Sequence, residues 1–123
     1  MPFSILPVTC KITGMRLYVV TRRDLSPGTQ AVQSCRVLWQ FSYEHPDVGH
    51  SWFVENNTLD ICTVADESEL TRLLKMAHTK KIRCATFSDA TCGNALMALA
   101  FEETTKTRKL LGRLPLTQRP GQK

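Results

Sequence analysis

At 123 residues, with 42% hydrophobic and 22% charged residues, the chain has the composition of a globular protein and the length for a single core. A formal charge of +5 and a pI near 9.1 favour a polyanionic partner without requiring one, because excess basic charge also serves solubility. No stretch has the length and apolarity of a membrane span, and the five cysteines (Cys10, Cys35, Cys62, Cys84, Cys92) are odd in number and lack a C-x-x-C pair, which suits reduced core thiols in a cytoplasmic protein.

Residues 1–14 carry Pro2 and Pro7, have no basic start and show no small-residue cleavage pattern, so they read as a loosely held leader rather than a signal peptide. Leu17 to Val20 then form an apolar, partly β-branched run expected to be a buried strand. Ser26-Pro27-Gly28 supplies a turn and a helix start. The first backbone N–H groups of that helix have no partner within it and suit a phosphate, a carboxylate or an oxyanion.

The helix is expected to run to about Ser42, with Ala31, Cys35 and Leu38 on its core side and Val32 and Trp39 beside them. Thr29, Gln33, Arg36 and Gln40 make a polar line on the other side, which reads either as a solvated face or as one wall of a site. His45 to His50, with Pro46 and Gly49, is expected to be a loop, and Asn56-Asn57 a turn. Thr58 to Val64 alternates as a strand does. Asp66 and Glu69 have capping-box spacing ahead of a helix whose apolar side is Leu70, Leu73, Leu74 and Ala77.

Ile82 to Phe87 reads as a third strand, Ser88 to Asn94 as a polar loop, Ala95 to Phe101 as a further strand, and Thr104 to Leu111 as a short helix. Basic residues cluster at Lys75, Lys80, Lys81 and Arg83 and again from Lys106 to Lys123. Residues 117–123, polar with Pro and Gly, read as a flexible tail.

Strands alternating with helices predict an α/β single domain: a mixed, mostly parallel sheet of about four strands flanked by helices. Its site would lie at the carboxyl ends of strands, where Asp24 after the first strand and Asp89 after the third could meet. Asp24 can equally be structural at a helix entry, and Asp89 can equally serve a turn. His45, His50 and His78 lack ligand spacing, so no metal is expected, and nothing beside Cys92 would activate a thiol. Trp39, Trp52, Tyr43 and Phe53 are expected to serve as core and loop anchors rather than as a stacking surface for bases.

The residues themselves resemble the type-2, archaeal-type peptidyl-tRNA hydrolases over about 15–116. That family's opening strand passes through an Arg-x-Asp-Leu turn and a glycine into a helix bearing Ala-Ala-Gln. Here the corresponding residues are Arg22-Arg23-Asp24-Leu25, Gly28 and Ala31-Val32-Gln33. Ser88-Asp89-Ala90 matches the family's aspartate-alanine-glycine turn, and Ala98-Leu99-Ala100 its Thr-Ala-Leu-Ala strand. The chain departs from the pattern at Thr29, Arg36 and Met97, which stand where the family has lysine, histidine and threonine, and the loop after Asp89 is short and lacks the Pro-Gly turn. Asp-Leu-x-Pro-Gly at Asp24 to Gly28 resembles a shorter, divergent bacterial-like branch.

The resemblance implies metal-free, cofactor-free hydrolysis of the ester that joins a peptide or acyl group to tRNA. Asp89, Gln33 and Arg36 would carry the chemistry: Asp89 orients or deprotonates water, and Gln33 and Arg36 hold a phosphate or the oxyanion. Arg23, Asp24, Gly28 and Thr29 would bind substrate. The partner would be peptidyl- or acyl-tRNA, gripped mainly through phosphates, with a homodimer also compatible. The alternative, which Thr29 and Arg36 favour, is an inactive tRNA-binding or protein-interaction module on the same fold.

Overall fold

The computed structural model describes residues 16–55 and 58–114. Arg16–Arg22 forms strand β1, and its sequence, Arg-Leu-Tyr-Val-Val-Thr-Arg, has five consecutive buried residues inside polar ends. Such a strand needs cover on both faces. Helix α1 (Pro27–Glu44) and helix α2 (Pro46–Glu55) follow, then strand β2 (Thr58–Val64) and helix α3 (Glu67–Thr79). Strand β3 (Cys84–Asp89), a single 3-10 turn (Ala90–Cys92), strand β4 (Ala95–Glu102) and helix α4 (Thr105–Leu111) complete the described chain.

The four strands make one mixed sheet in the order β2-β1-β4-β3. β1 pairs with β2 in parallel, and β4 runs antiparallel to both β1 and β3. The carboxyl ends of β1, β2 and β3 therefore share one end of the sheet. Alternation along β1 feeds two cores: Leu17 and Val19 meet Val37 and Phe41 of α1, while Tyr18 and Val20 meet Leu70, Leu73 and Ala77 of α3 and Leu111 of α4. Within β4 the register steps from Phe87–Ala98 to Ser88–Leu96, leaving Met97 as the extra residue of a bulge. The bulge turns Leu96 onto the face of Leu99 and Phe101, three and five residues further on.

The α/β class, the mixed four-strand sheet and the flanking helices follow the sequence expectation, but of the strand pairings β1–β2 is parallel while β1–β4 and β3–β4 are antiparallel, so the pairing is not mostly parallel. β2 spans the residues expected, and Asp66 caps α3 by accepting the Glu69 N–H at 3.1 Å. Three local expectations are corrected. The segment from His45 to His50 is not a loop: only His45 interrupts the helix, and Pro46, which needs no N–H partner at a first helical position, starts α2 at once. Strand β3 begins at Cys84 and reaches Asp89, two residues into the expected loop. The buried face of α1 is Gln33, Ser34, Val37 and Phe41, whereas Ala31, Val32, Cys35 and Trp39 are exposed.

Cys62 is buried, but Cys35 and Cys92 are exposed, so the expectation of core thiols fails at those two. The expectations for residues 1–14, Cys10, Asn56-Asn57 and residues 117–123 lie outside the described residues. No helix among the described residues is long and apolar enough to cross a membrane.

Helix α2 folds back on α1 where Gly49 meets Ser42. A Cβ at Gly49 would sit 2.8 Å from Ser42 Oγ and 3.1 Å from its backbone Cα. The Gly49→Ala variant should lose about 1–3 kcal/mol of stability in urea denaturation, because the helices must separate to admit the methyl group. An unchanged midpoint would mean the two helices are not in close contact.

Candidate functional site

Helix α1 starts at the carboxyl end of β1 and packs on β3, β4 and β1. Its start is largely self-satisfied. Pro27 has no N–H, the Thr29 N–H goes to Ser26 Oγ at 3.2 Å, and the Gln30 N–H goes to Ser26 O at 2.8 Å. Among the described residues only the exposed Gly28 N–H remains there, so the anion site expected at Gly28 and Thr29 shrinks to one donor.

Asp24 is taken up by its neighbour. Arg22 grips it with two bonds of 2.9 and 2.8 Å, and the remaining guanidinium nitrogen reaches Leu96 O at 3.1 Å, beside the Met97 bulge. The Arg22 hydrogen bond holds the Asp24 carboxyl below its ordinary pKa. Arg23 donates its backbone N–H to Val64 O at 2.7 Å, and its side chain is exposed. Asp24 thus ties the turn to β4, which is the structural role the sequence left open.

Asp89 ends β3, and alternation places it on the same sheet face as Phe87 and Ala85, the face that α1 covers. Its carboxylate accepts the Thr91 N–H at 2.9 Å and the Thr91 hydroxyl at 2.7 Å. Gly93 (φ 68°) and Asn94 (φ 62°) then reverse the chain in the left-handed region, and Asn94 N–H bonds Asp89 O at 2.9 Å. The Thr91 side-chain and backbone hydrogen bonds lower the Asp89 pKa from its ordinary value, with further help from the Gln33 amide and the Arg36 charge.

The structure thus brings together Asp89, Gln33 and Arg36. Gln33 is only 4% exposed, and its Oε1 has no hydrogen-bond partner. A buried, unmatched acceptor costs free energy that a donor on a bound molecule would recover. Arg36 makes no salt bridge among the described residues; its guanidinium carbon stands 5.3 Å above the Phe87 ring centroid. Gly28 and Thr29 lie four or five residues earlier on α1, roughly 6–8 Å along the axis. Asp24, which is held by Arg22, is not joined to this group.

Four contributors are not legible as site residues in the sequence. Phe87 was assigned only to a strand, although the Phe87-x-Asp89 spacing puts both on one face. The Asp89-x-Thr91 spacing is that of an Asx turn, which signals Thr91. Trp39 and Tyr43, expected in the core, are 78% and 83% exposed. They line a groove of about 430 Å³ with Arg36, Gln40 and Phe87. Trp52, in contrast, is an anchor as expected, donating its indole N–H to Thr58 O at 2.6 Å.

The described members of the expected basic clusters lie elsewhere. Lys80 and Lys81 follow α3 on the other side of the sheet, Arg83 pairs with Asp47 at 3.0 Å, and Arg108 pairs with Glu103. No group of three metal-ligating side chains occurs among the described residues.

The fold has a solved counterpart. The chain is similar to the structure of a protein of unknown function from Agrobacterium tumefaciens, with a TM-score of 0.61 at 10% identity, covering 87% of this chain and 100% of that one. At that identity the likeness concerns the fold alone. No protein-family model matches the chain, and no curated protein matches it in sequence.

The Thr91 bonds make a direct prediction. The Asp89 carboxyl should titrate below 3.8, and Thr91→Val, which removes the hydroxyl donor, should move its midpoint upward in a carbon-detected NMR titration. Because the folded pKa is depressed, the stabilisation from these bonds is present above the unfolded value and is lost as pH falls through the folded one. A midpoint at or above 3.8 in the unaltered protein would contradict the observed hydrogen bonding.

Proposed function

We infer that this protein binds the acylated end of a tRNA and hydrolyses the ester that joins a peptidyl or acyl group to the terminal ribose. The observation that carries this reading is the convergence of Asp89, Gln33 and Arg36 on one face at the carboxyl end of β3. The resemblance of the Arg22 to Gln33 segment to type-2 peptidyl-tRNA hydrolases supplies the substrate class.

The chemistry follows from the three groups. An Asp89 with a depressed pKa is a weak base, so its work is to accept a hydrogen bond from the attacking water and align it. Water adds to the ester carbonyl carbon, and negative charge gathers on the carbonyl oxygen, where the Arg36 guanidinium stabilises it. The carbon–oxygen bond to ribose then breaks, the ribose oxygen takes up a proton from the attacking water, and acid and tRNA leave. The Gln33 side-chain amide hydrogen-bonds the Asp89 carboxylate and holds it in place for that work.

A second reading, binding without turnover, is favoured by Arg36 itself. A permanent cation stacked on Phe87 recognises phosphates and π-faces but cannot remove a proton.

Both readings meet one assay. Purified protein given a peptidyl-tRNA should release tRNA, and Asp89→Asn should lower kcat by on the order of 100-fold with tRNA affinity nearly unchanged. Arg36→Ala should reduce binding and turnover together. Full activity in Asp89→Asn would remove the catalytic assignment, and unaltered protein that binds tRNA without hydrolysing it would leave the binding module.

A further inference from the structure

The core face of α1 is Gln33, Ser34, Val37 and Phe41, and the exposed flank that borders β3 carries Val32, Arg36, Trp39 and Tyr43. Those four recur at i, i+4, i+7 and i+11, so they form one line along the helix. Large exposed aromatics in such a line mark a surface that binds something. The open, shallow groove between this line and edge strand β3 has a volume of about 430 Å³ and is lined by Arg36, Trp39, Gln40, Tyr43 and Phe87.

We propose that this groove is a stacking subsite for unpaired nucleobases, and that it holds the single-stranded end of the RNA whose ester is cleaved beside Asp89. The proposal rests on the tRNA-ester reading for the identity of that RNA. Three observations select bases over other occupants. All five lining side chains end in planar groups: three aromatic rings, a guanidinium and a carboxamide. Flat faces suit flat bases, and stacking of this kind accepts any base because each has a π-face.

The second observation is charge. Among the described residues Arg36 makes no salt bridge, and it already lies over Phe87, 5.3 Å from its centroid, so its open side can meet a polyanion or a π-surface at little reorganisation cost. The third is continuity. Arg36 belongs both to the groove and to the group around Asp89, so a strand stacked along α1 leads its end toward the carboxylate. Base stacking here takes over part of the grip expected mainly from phosphate contacts, since the lysines around the end of α3 lie on the other side of the sheet.

The test compares an eight-nucleotide single-stranded RNA with an abasic ribose-phosphate oligomer of the same length, using tryptophan fluorescence and competition. Base-bearing RNA should quench Trp39 and bind more tightly than the abasic oligomer. Trp39→Ala should weaken RNA binding about tenfold and leave abasic binding unchanged, while Phe53→Ala, an exposed aromatic on α2, should change neither. With a peptidyl-tRNA, Trp39→Ala should raise KM and spare kcat.

Trp39→Ala and Tyr43→Ala variants that bind RNA like the unaltered protein would overturn the proposal, as would equal affinity for the abasic oligomer. Sedimentation showing a dimer that Trp39→Ala dissociates, with RNA affinity unchanged, would overturn it in favour of self-association. The two claims fail separately. Trp39-dependent RNA binding without ester cleavage would remove the hydrolase and keep the groove, and cleavage with KM unchanged in Trp39→Ala would remove the groove and keep the hydrolase.

Discussion

Everything in this fold depends on burying β1 on both faces. A strand whose residues from Leu17 to Thr21 are all inaccessible cannot lie at an edge or face water, so it must pair on both sides and be covered above and below. Pairing with β2 on one side and β4 on the other satisfies its backbone, and α1 and α3 cover its two faces. Helix α1 is thereby pinned over β1, β4 and β3, and that placement brings Gln33 and Arg36 to the end of β3. The site is a consequence of the packing of a strand to which it contributes no residue.

Local hydrogen bonds refine what packing places. The Thr91 bonds and the left-handed Gly93-Asn94 pair fix the Asp89 carboxylate at the strand end. On the other face the Met97 bulge exposes the Leu96 carbonyl, and Arg22 takes it while gripping Asp24. The aspartates at the carboxyl ends of β1 and β3 thus divide their work: Asp24 is locked into an ion pair that secures the turn, and Asp89 accepts bonds from the neutral Thr91 donors and keeps its charge available. A carboxylate held this way is suited to orienting a water molecule rather than to taking its proton.

The sequence was legible where one physical signal dominated. Strand β2 is rich in β-branched residues, with Thr58, Ile61, Thr63 and Val64, and α3 has an Asp66 cap and a single apolar stripe, so both match their expected bounds closely. Helix α1 was misread because it has apolar residues on two sides and polar residues among its core positions. Half-buried Gln30 donates to Leu25 O at 2.8 Å and buried Ser34 donates to Gln30 O at 2.8 Å, so these polar side chains pack against the core with bonds made. Trp39 and Tyr43 were freed for the surface as a result. Periodicity fixes the spacing of a helical face but not which of two faces the sheet will choose. The same limit hid α2, whose Pro46 and Gly49 look like loop residues until Pro46 is seen starting a helix and Gly49 meeting Ser42. Asp89, Gln33 and Arg36 were legible as candidates, but their convergence needed the strand order.

The most direct test of the account is an NMR titration with a peptidyl-adenosine whose ester is replaced by a non-hydrolysable amide. The account expects the side-chain amide of Gln33, the Arg36 guanidinium and the backbone of Asp89 and Thr91 to shift together and saturably, with Trp39 following when the RNA end is lengthened. Shifts confined to α3 and α4, on the opposite side of the sheet, would contradict it.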